Sequence, residues 1–231
     1  MRIRLRQVVL AAVDLAGTEA AVVDTLGVSL CYRDPGVGVF GLRNALFPIG
    51  EQLLEIVSPI QDGTTAGRLI DKRGGDTGYM VILEVDDLDT MRSRIDAAGA
   101  RIVYEAVTEG IVGLHLHPAD VGGAILSIDR AETWGEWPWA GPEWRAHVIT
   151  DVVRAVVAVE IEANDPSAMA ARWSEVLGRP FAGDTIVLDE GEVRFVPAGD
   201  RGEGVSAYEF EVAAGADGFD VVIAGTRLYT S

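Results

Sequence analysis

The stretch Met80-Val-Ile-Leu-Glu-Val-Asp-Asp87-Leu runs as an alternating strand into an acidic residue, continues as a helical pattern through Met91 and Ile95, and closes on Gly99. The same signature occurs twice more. Gln7-Val-Val-Leu-Ala-Ala-Val-Asp14-Leu leads into a predicted helix over roughly Thr18 to Leu26 and then Gly27. Ala158-Val-Glu-Ile-Glu-Ala-Asn-Asp165-Pro leads into one over Ser167 to Leu177 and then Gly178. From acidic cap to glycine the distances are thirteen (14 to 27), twelve (87 to 99) and thirteen (165 to 178) positions. Each spacing suits about three helical turns. In the third copy Asp165 can cap free amides, Pro166 suits the first helical position, and Gly178 can take the left-handed closing conformation.

Short β segments follow the first two helices: Val37 to Pro48 and Gln52 to Val57, then Arg101 to Ala106, Gly113 to His117 and Ala124 to Ile128. The chain therefore reads as α+β, with repeated βαβββ modules. Two full modules are followed by a shortened C-terminal module pair. In that pair, strands are predicted near Thr185 to Leu188 and Glu192 to Val196, and a fourth module begins at Ser206 to Val212 and ends early. The expected division is residues 1–130 as the paired domain, 131–147 as a linker and 148–231 as a truncated domain. The linker holds Trp134, Trp137, Trp139 and Trp144 with Pro138, Gly141 and Pro142. Four indoles predict packing across a domain face, since exposed they would form a large apolar patch.

With 48% hydrophobic and 24% charged residues in 231, the composition is that of a globular chain. Nineteen basic against thirty-six acidic side chains give a net charge of -17, which disfavours nucleic acid and anionic membrane surfaces as partners. Cys31 is the only cysteine, so no intrachain disulfide forms. The basic start, Met1 to Arg6, precedes an apolar run from Val8 that stops at Asp14, too short for an export signal. No segment approaches the roughly 20 apolar residues of a membrane span. The expected location is the cytoplasm.

Four further stretches carry a family resemblance: Leu53-Leu-Glu-Ile-Val-Ser-Pro59, Arg68-Leu-Ile-Asp-Lys-Arg-Gly74, Leu83-Glu-Val-Asp-Asp-Leu88, and Leu116-His-Pro118 followed by Gly122-Gly123. Over about residues 5 to 130 the chain resembles the vicinal oxygen chelate superfamily, which includes glyoxalase I, extradiol dioxygenases and bleomycin-resistance proteins. Within it the residues look most like methylmalonyl-CoA epimerases. The resemblance implies that two modules form a curved mixed-sheet cavity, paired within the chain or across a homodimer. It also implies a divalent metal that chelates vicinal oxygens of a small-molecule substrate.

By that resemblance the first-module ligand positions fall on Gln7 and Glu55, both compatible with a metal. The second-module positions fall on Met80 and Ser127, a thioether and a hydroxyl where imidazole and carboxylate are usual. Gln7, Met80 and Ser127 are thus candidate ligand-binding residues, with Gln7 and Glu55 the metal candidates for weak binding. Glu55 and Glu84 are the candidate catalytic carboxylates, Glu84 because it shares strand parity with Met80. His115 and His117, two apart on one strand, read either as a ligand pair or as structural histidines. In the C-terminal half the aligned positions are Ala158, Arg194 and Ala207, which offer no metal ligand. Three functions stay open: binding of a small oxygenated organic molecule in the cavity of the first two modules, with glyoxalase-like lyase or epimerase-like isomerase chemistry on it; metal-free binding or sequestration of the bleomycin-resistance type; and a scaffold whose C-terminal half serves only assembly.

Overall fold

Both faces of the first strand are buried, and they serve different cores. In the computed structural model, which describes residues 1–230 and leaves Ser231 of the expected C-terminal segment outside, strand β1 (Ile3–Ala11) is buried at every position. Ile3, Leu5, Val8 and Leu10 enter a core shared with the C-terminal half, whereas Val9 and Ala11 join a cluster containing Trp137 and Trp144. A register shift between Leu5 and Gln7 interrupts the alternation. As a result Arg6 and Gln7, neighbours in sequence, both meet Trp137.

Helix α1 (Leu15–Leu26) follows, capped by the Asp14 side chain on the Gly17 N–H and closed by Gly27 at φ +65°. Strands β2 (Leu42–Ile49) and β3 (Gln52–Pro59) complete the first sheet segment, and α2 (Thr65–Arg73) leads on to the second module. The β segment expected from Val37 begins only at Leu42. Residues 35–40 form a 3-10 turn, because Pro35 removes a donor and the Asp34 carboxylate accepts from the Gly36 N–H. The strand missing from this module is reduced to a single bridge between Tyr32 and Leu46.

The second module is β4 (Thr77–Val85), α3 (Leu88–Ala97), β5 (Ile102–Thr108), β6 (Ile111–Leu116), the short α4 (Pro118–Val121) and β7 (Ile125–Ala131). The sheet order is β2-β3-β1-β4-β7-β6-β5, with β1 and β4 antiparallel at its centre. The two modules therefore pair within one chain, about a pseudo-twofold between β1 and β4, as a curled half-barrel.

The C-terminal half repeats the plan with fewer parts: β8 (Val153–Ala163), α5 (Pro166–Leu177), β9 (Phe181–Ala182), β10 (Thr185–Val187), β11 (Glu192–Pro197), then β12 (Gly204–Val212), β13 (Asp220–Ile223) and β14 (Thr226–Thr230). Its order, β13-β14-β12-β8-β11-β10-β9, again centres on an antiparallel pair, β8 and β12. The fourth module lacks a helix but ends in a hairpin that completes the seven strands. The sheets pack back to back. Val156, Val159 and Ile161 of β8 share one core with β1, and Trp173 of α5 stacks edge-on against Phe195. Polar ties cross the junction too. Gln52 bonds both backbone groups of Val156, and the Tyr208 hydroxyl donates to the Val9 carbonyl at 2.9 Å. Gly78 has no room for a side chain, since a Cβ there would stand 2.5 Å from Val205. Among the described residues no helix is long and apolar enough to cross a membrane.

Candidate functional site

The inner face of the first sheet encloses a cavity of about 470 Å³. Its floor is β1, β3 and β4, one wall is the 3-10 turn at 35–40, and Pro138 and Trp139 close one side. Residues 131–147, the expected linker, run over this sheet as a strap. Trp134 lies under Arg2 and Arg4, and Trp137 and Trp144 lie against Arg6. The strap is thus fastened to β1 by guanidinium groups resting on indole faces.

At the cavity floor, Gln7 and Glu55 are in direct contact: the Gln7 side-chain amide N–H donates to Glu55 Oε2 at 2.8 Å. Asn44 of β2 donates to the other carboxylate oxygen at 2.6 Å, and the Trp137 indole N–H donates to Gln7 Oε1 at 2.8 Å. An indole can only donate, so it fixes the Gln7 amide with its oxygen toward the strap and its nitrogen toward Glu55. Burial pushes the Glu55 carboxyl up to about 7, against the two amide donors that favour its ionised form.

On the opposite side of the cavity stands Asp129. The Ser127 hydroxyl donates to Asp129 Oδ1, and the Trp139 indole donates to Oδ2 at 2.9 Å. Burial raises this carboxyl as well, to about 7, with Ser127 and Trp139 favouring the charged form and Glu84 opposing it. His115 also lines the cavity, tilted against Tyr104 at 5.3 Å, and its burial lowers the imidazole to about 4, so the ring is neutral near pH 7. His117 is not its partner. Its Nδ1 instead caps α4 by accepting from the Ala119 N–H.

The expected residues are therefore only partly assembled. Gln7, Glu55 and Met80 line the cavity. Ser127 is fully buried and reaches it only through Asp129. Glu84 does not line it: its carboxylate lies beneath the strap, held by Arg4 at 2.6 Å, Arg6 at 3.5 Å and the Gly135 N–H at 3.0 Å. Asn44, Tyr79 and Asp129 are cavity residues that strand pattern alone did not single out. Asp129 was within reach, because it shares strand parity with Ser127 two positions earlier.

A divalent ion does not fit this donor set. The Gln7 oxygen is turned to the Trp137 indole, Met80 offers only a thioether and the Ser127 hydroxyl is bonded to Asp129, so of the expected ligand positions Glu55 alone presents an oxygen to the cavity. Among the described residues no group of three histidine, cysteine or acidic side chains converges on one point. In the C-terminal half the corresponding place is taken by a fixed cation. Arg194 pairs there with Glu192 and Glu209, while the Tyr229 hydroxyl donates to Glu160 at 2.6 Å.

The two raised carboxyls set a pH dependence. A folded protein that keeps these protons up to about pH 7, when unfolded carboxyls release them near pH 4, binds more protons than its unfolded state between those values. The stability linked to Glu55 and Asp129 is then full below about pH 4 and is lost as pH rises through about 7, by about 3–4 kcal/mol per group. Denaturation of the wild type and of Glu55→Gln with Asp129→Asn should show a decline between about pH 4 and 7 that the double variant lacks. Parallel curves would contradict the burial of both charges. Exposed groups such as Asp120, whose carboxyl Arg101 holds low, act with the opposite sign but equally in both proteins.

No protein-family model matches the chain. It is 26% identical over 135 residues to an ethylmalonyl-CoA/methylmalonyl-CoA epimerase of Cereibacter sphaeroides, a match covering 55% of this chain and 97% of that protein. A hypothetical protein from Staphylococcus aureus matches the whole fold with a TM-score of 0.76 at 11% identity, covering 100% of this chain and 99% of that one. A variant of the Streptomyces coelicolor methylmalonyl-CoA epimerase in complex with 2-nitronate-propionyl-CoA matches with a TM-score of 0.51 at 19% identity, over 56% of this chain and 98% of its own. The N-terminal half thus has the vicinal oxygen chelate fold and resembles methylmalonyl-CoA epimerases.

Proposed function

We propose that this chain, epimerase-like over its first 130 residues, binds a small oxygenated organic molecule in the cavity of its first sheet, and does so without a divalent ion. The observation that carries the reading is the hydrogen-bonded chain Trp137, Gln7, Glu55 and Asn44, which turns the Gln7 oxygen to the strap and leaves Glu55 as the one oxygen of the expected ligand positions that faces the cavity. Recognition then falls to the apolar walls and to the polar groups that face inward: the Glu55 and Asp129 carboxyls and the Tyr79 hydroxyl.

A second reading, isomerisation, draws on the Glu55 carboxyl, whose value of about 7 matches proton transfer near neutrality. The Glu55 carboxylate would take a proton from a carbon next to a carbonyl, leaving the electron pair on the carbonyl oxygen as an enolate. The Tyr79 hydroxyl is the donor available to that oxygen, and delivery of a proton to the opposite face of the carbon collapses the enolate and completes the inversion. The curated relative's name points to acyl-CoA substrates for this reading.

Ligand-detected NMR in D2O with a chelator present tests both readings on one sample, using a panel of small oxygenated compounds and acyl thioesters. The expected result is binding that the chelator leaves unchanged and that added manganese does not strengthen. Binding that disappears with the chelator would overturn the metal-free reading. Loss of the ligand's α-hydrogen signal, abolished in Glu55→Gln, would establish isomerisation over plain binding.

A further inference from the structure

The charge of the cavity is one-sided. Glu55 and Asp129 stand inside it and Asp34 and Glu109 line it nearer its rim, yet among the described residues no lysine or arginine lines it. The nearby cations are directed elsewhere. Arg33 pairs with Glu19 at 2.7 Å and donates to the Asn44 carbonyl, and Arg68 turns to the Gly63 carbonyl and the Thr65 hydroxyl. His115 is neutral near pH 7. An anionic ligand would therefore meet four carboxyl groups and no counter-charge, two of them, Glu55 and Asp129, buried where repulsion is less screened than at the rim.

A second, independent feature points inward. Tyr79 is 6% exposed and lines the cavity, but its hydroxyl has no hydrogen-bond partner among the described residues. Burial pushes this phenol up to about 12, so it stays neutral and presents an acceptor lone pair as well as a donor. That oxygen opens onto the cavity and is not sealed in the core, so it is accessible to a ligand group. The Glu55 and Asp129 oxygens each accept one bond from the protein and keep acceptor capacity toward the cavity. The inward polar groups thus offer acceptors in excess. The walls add aromatic surface: Phe40 and Tyr104 meet edge to face at 4.9 Å across the mouth, and Trp139 flanks Asp129.

We infer that the ligand of this cavity is an organic cation, an oxygen-bearing aromatic body carrying a protonated amine. The ammonium takes the acceptor positions of Glu55, Asp129 and Tyr79, and the ring lies among the aromatic walls. An ammonium brings three donors and no acceptor, which complements these groups, and its charge compensates two carboxylates that the fold otherwise buries at a cost. Aromatic faces favour the same charge. The inference rests on the metal-free binding reading above and adds the sign of the ligand's charge.

Calorimetric titration near pH 8 with three compounds that share one skeleton tests it: tyramine, tyrosol and 4-hydroxyphenylacetate, which carry an ammonium, a hydroxyl and a carboxylate on the same phenol. Tyramine is expected to bind at least about tenfold more tightly than tyrosol, and 4-hydroxyphenylacetate most weakly. In Glu55→Gln with Asp129→Asn, confirmed as folded by its thermal transition, the tyramine affinity should fall to that of tyrosol. Equal or tighter binding of tyrosol or the carboxylate by the wild type would overturn the cationic assignment and leave metal-free binding standing. Absence of binding by all three would overturn both.

Discussion

Replacing Trp137 with alanine should destabilise the protein by about 3–5 kcal/mol, measured by chemical denaturation. Its indole is 1% exposed and among the largest fully buried side chains in the molecule. Three losses coincide in the variant. The packing of a whole indole goes, leaving a void between the strap and the first sheet that the packed sheet is too rigid to close. The Arg6 guanidinium, 4.9 Å from the ring centroid, loses one of its two aromatic supports, and its Nε and one Nη have no hydrogen-bond acceptor to replace it. The Gln7 oxygen loses its donor, so the amide that holds Glu55 is no longer fixed. Trp139→Ala provides the contrast, because that ring is half-buried at the side of the cavity and its one hydrogen bond is to Asp129. A cost below about 1 kcal/mol for Trp137→Ala would mean that the strap does not hold the sheet.

The second large effect is expected at Glu84. This carboxylate is fully buried and is the close counter-charge of two buried guanidiniums, since Glu190 and Glu51, which also approach Arg4 and Arg6, are themselves half exposed. Burial already lowers Arg6 to about 10, with Arg4 beside it acting in the same direction and Glu84 opposing. Glu84→Gln keeps the shape but removes the charge, leaving Arg4 and Arg6 repelling each other out of water. The cost should be about 3–5 kcal/mol. A glutamine also brings an N–H2 group into a space that holds only donors, Arg4, Arg6 and the Gly135 N–H. The charge explanation makes a second demand. Arg4→Met should cost less in the Glu84→Gln background than in the wild type, with a coupling of at least about 1 kcal/mol. Additive costs in that double-mutant cycle would point to packing alone.

Local chemistry along the chain determined the repeating plan. Asp14, Asp87 and Asp165 cap their helices through side-chain acceptors, and Gly27, Gly99 and Gly178 close them in the left-handed conformation. These features depend on neighbours within a few positions and on the period of the apolar residues, so they are legible without any tertiary contact. The inward placement of Gln7, Glu55 and Met80 was legible too, from the alternation of their strands together with the family resemblance. The 3-10 turn at Pro35–Phe40 was not, because valine and phenylalanine also suit a strand and the turn is set by the Asp34 cap, Pro35 and the two glycines.

Only the tertiary structure decided what those inward residues do. Gln7 and Glu55 are 48 positions apart, and Trp137 joins them from 130 positions away. That last contact turns a candidate ligand pair into a closed hydrogen-bonded chain. Glu84 has the parity of Met80 but sits where the strap crosses, so it serves Arg4 and Arg6 instead of the cavity. Asp129 gains its importance from burial and from the Trp139 indole, neither of which its strand records. Strand periodicity specifies the side of a sheet on which a residue lies. Its partners, its hydration and therefore its charge depend on which distant segment covers that side, and in this chain the covering segment is the tryptophan strap.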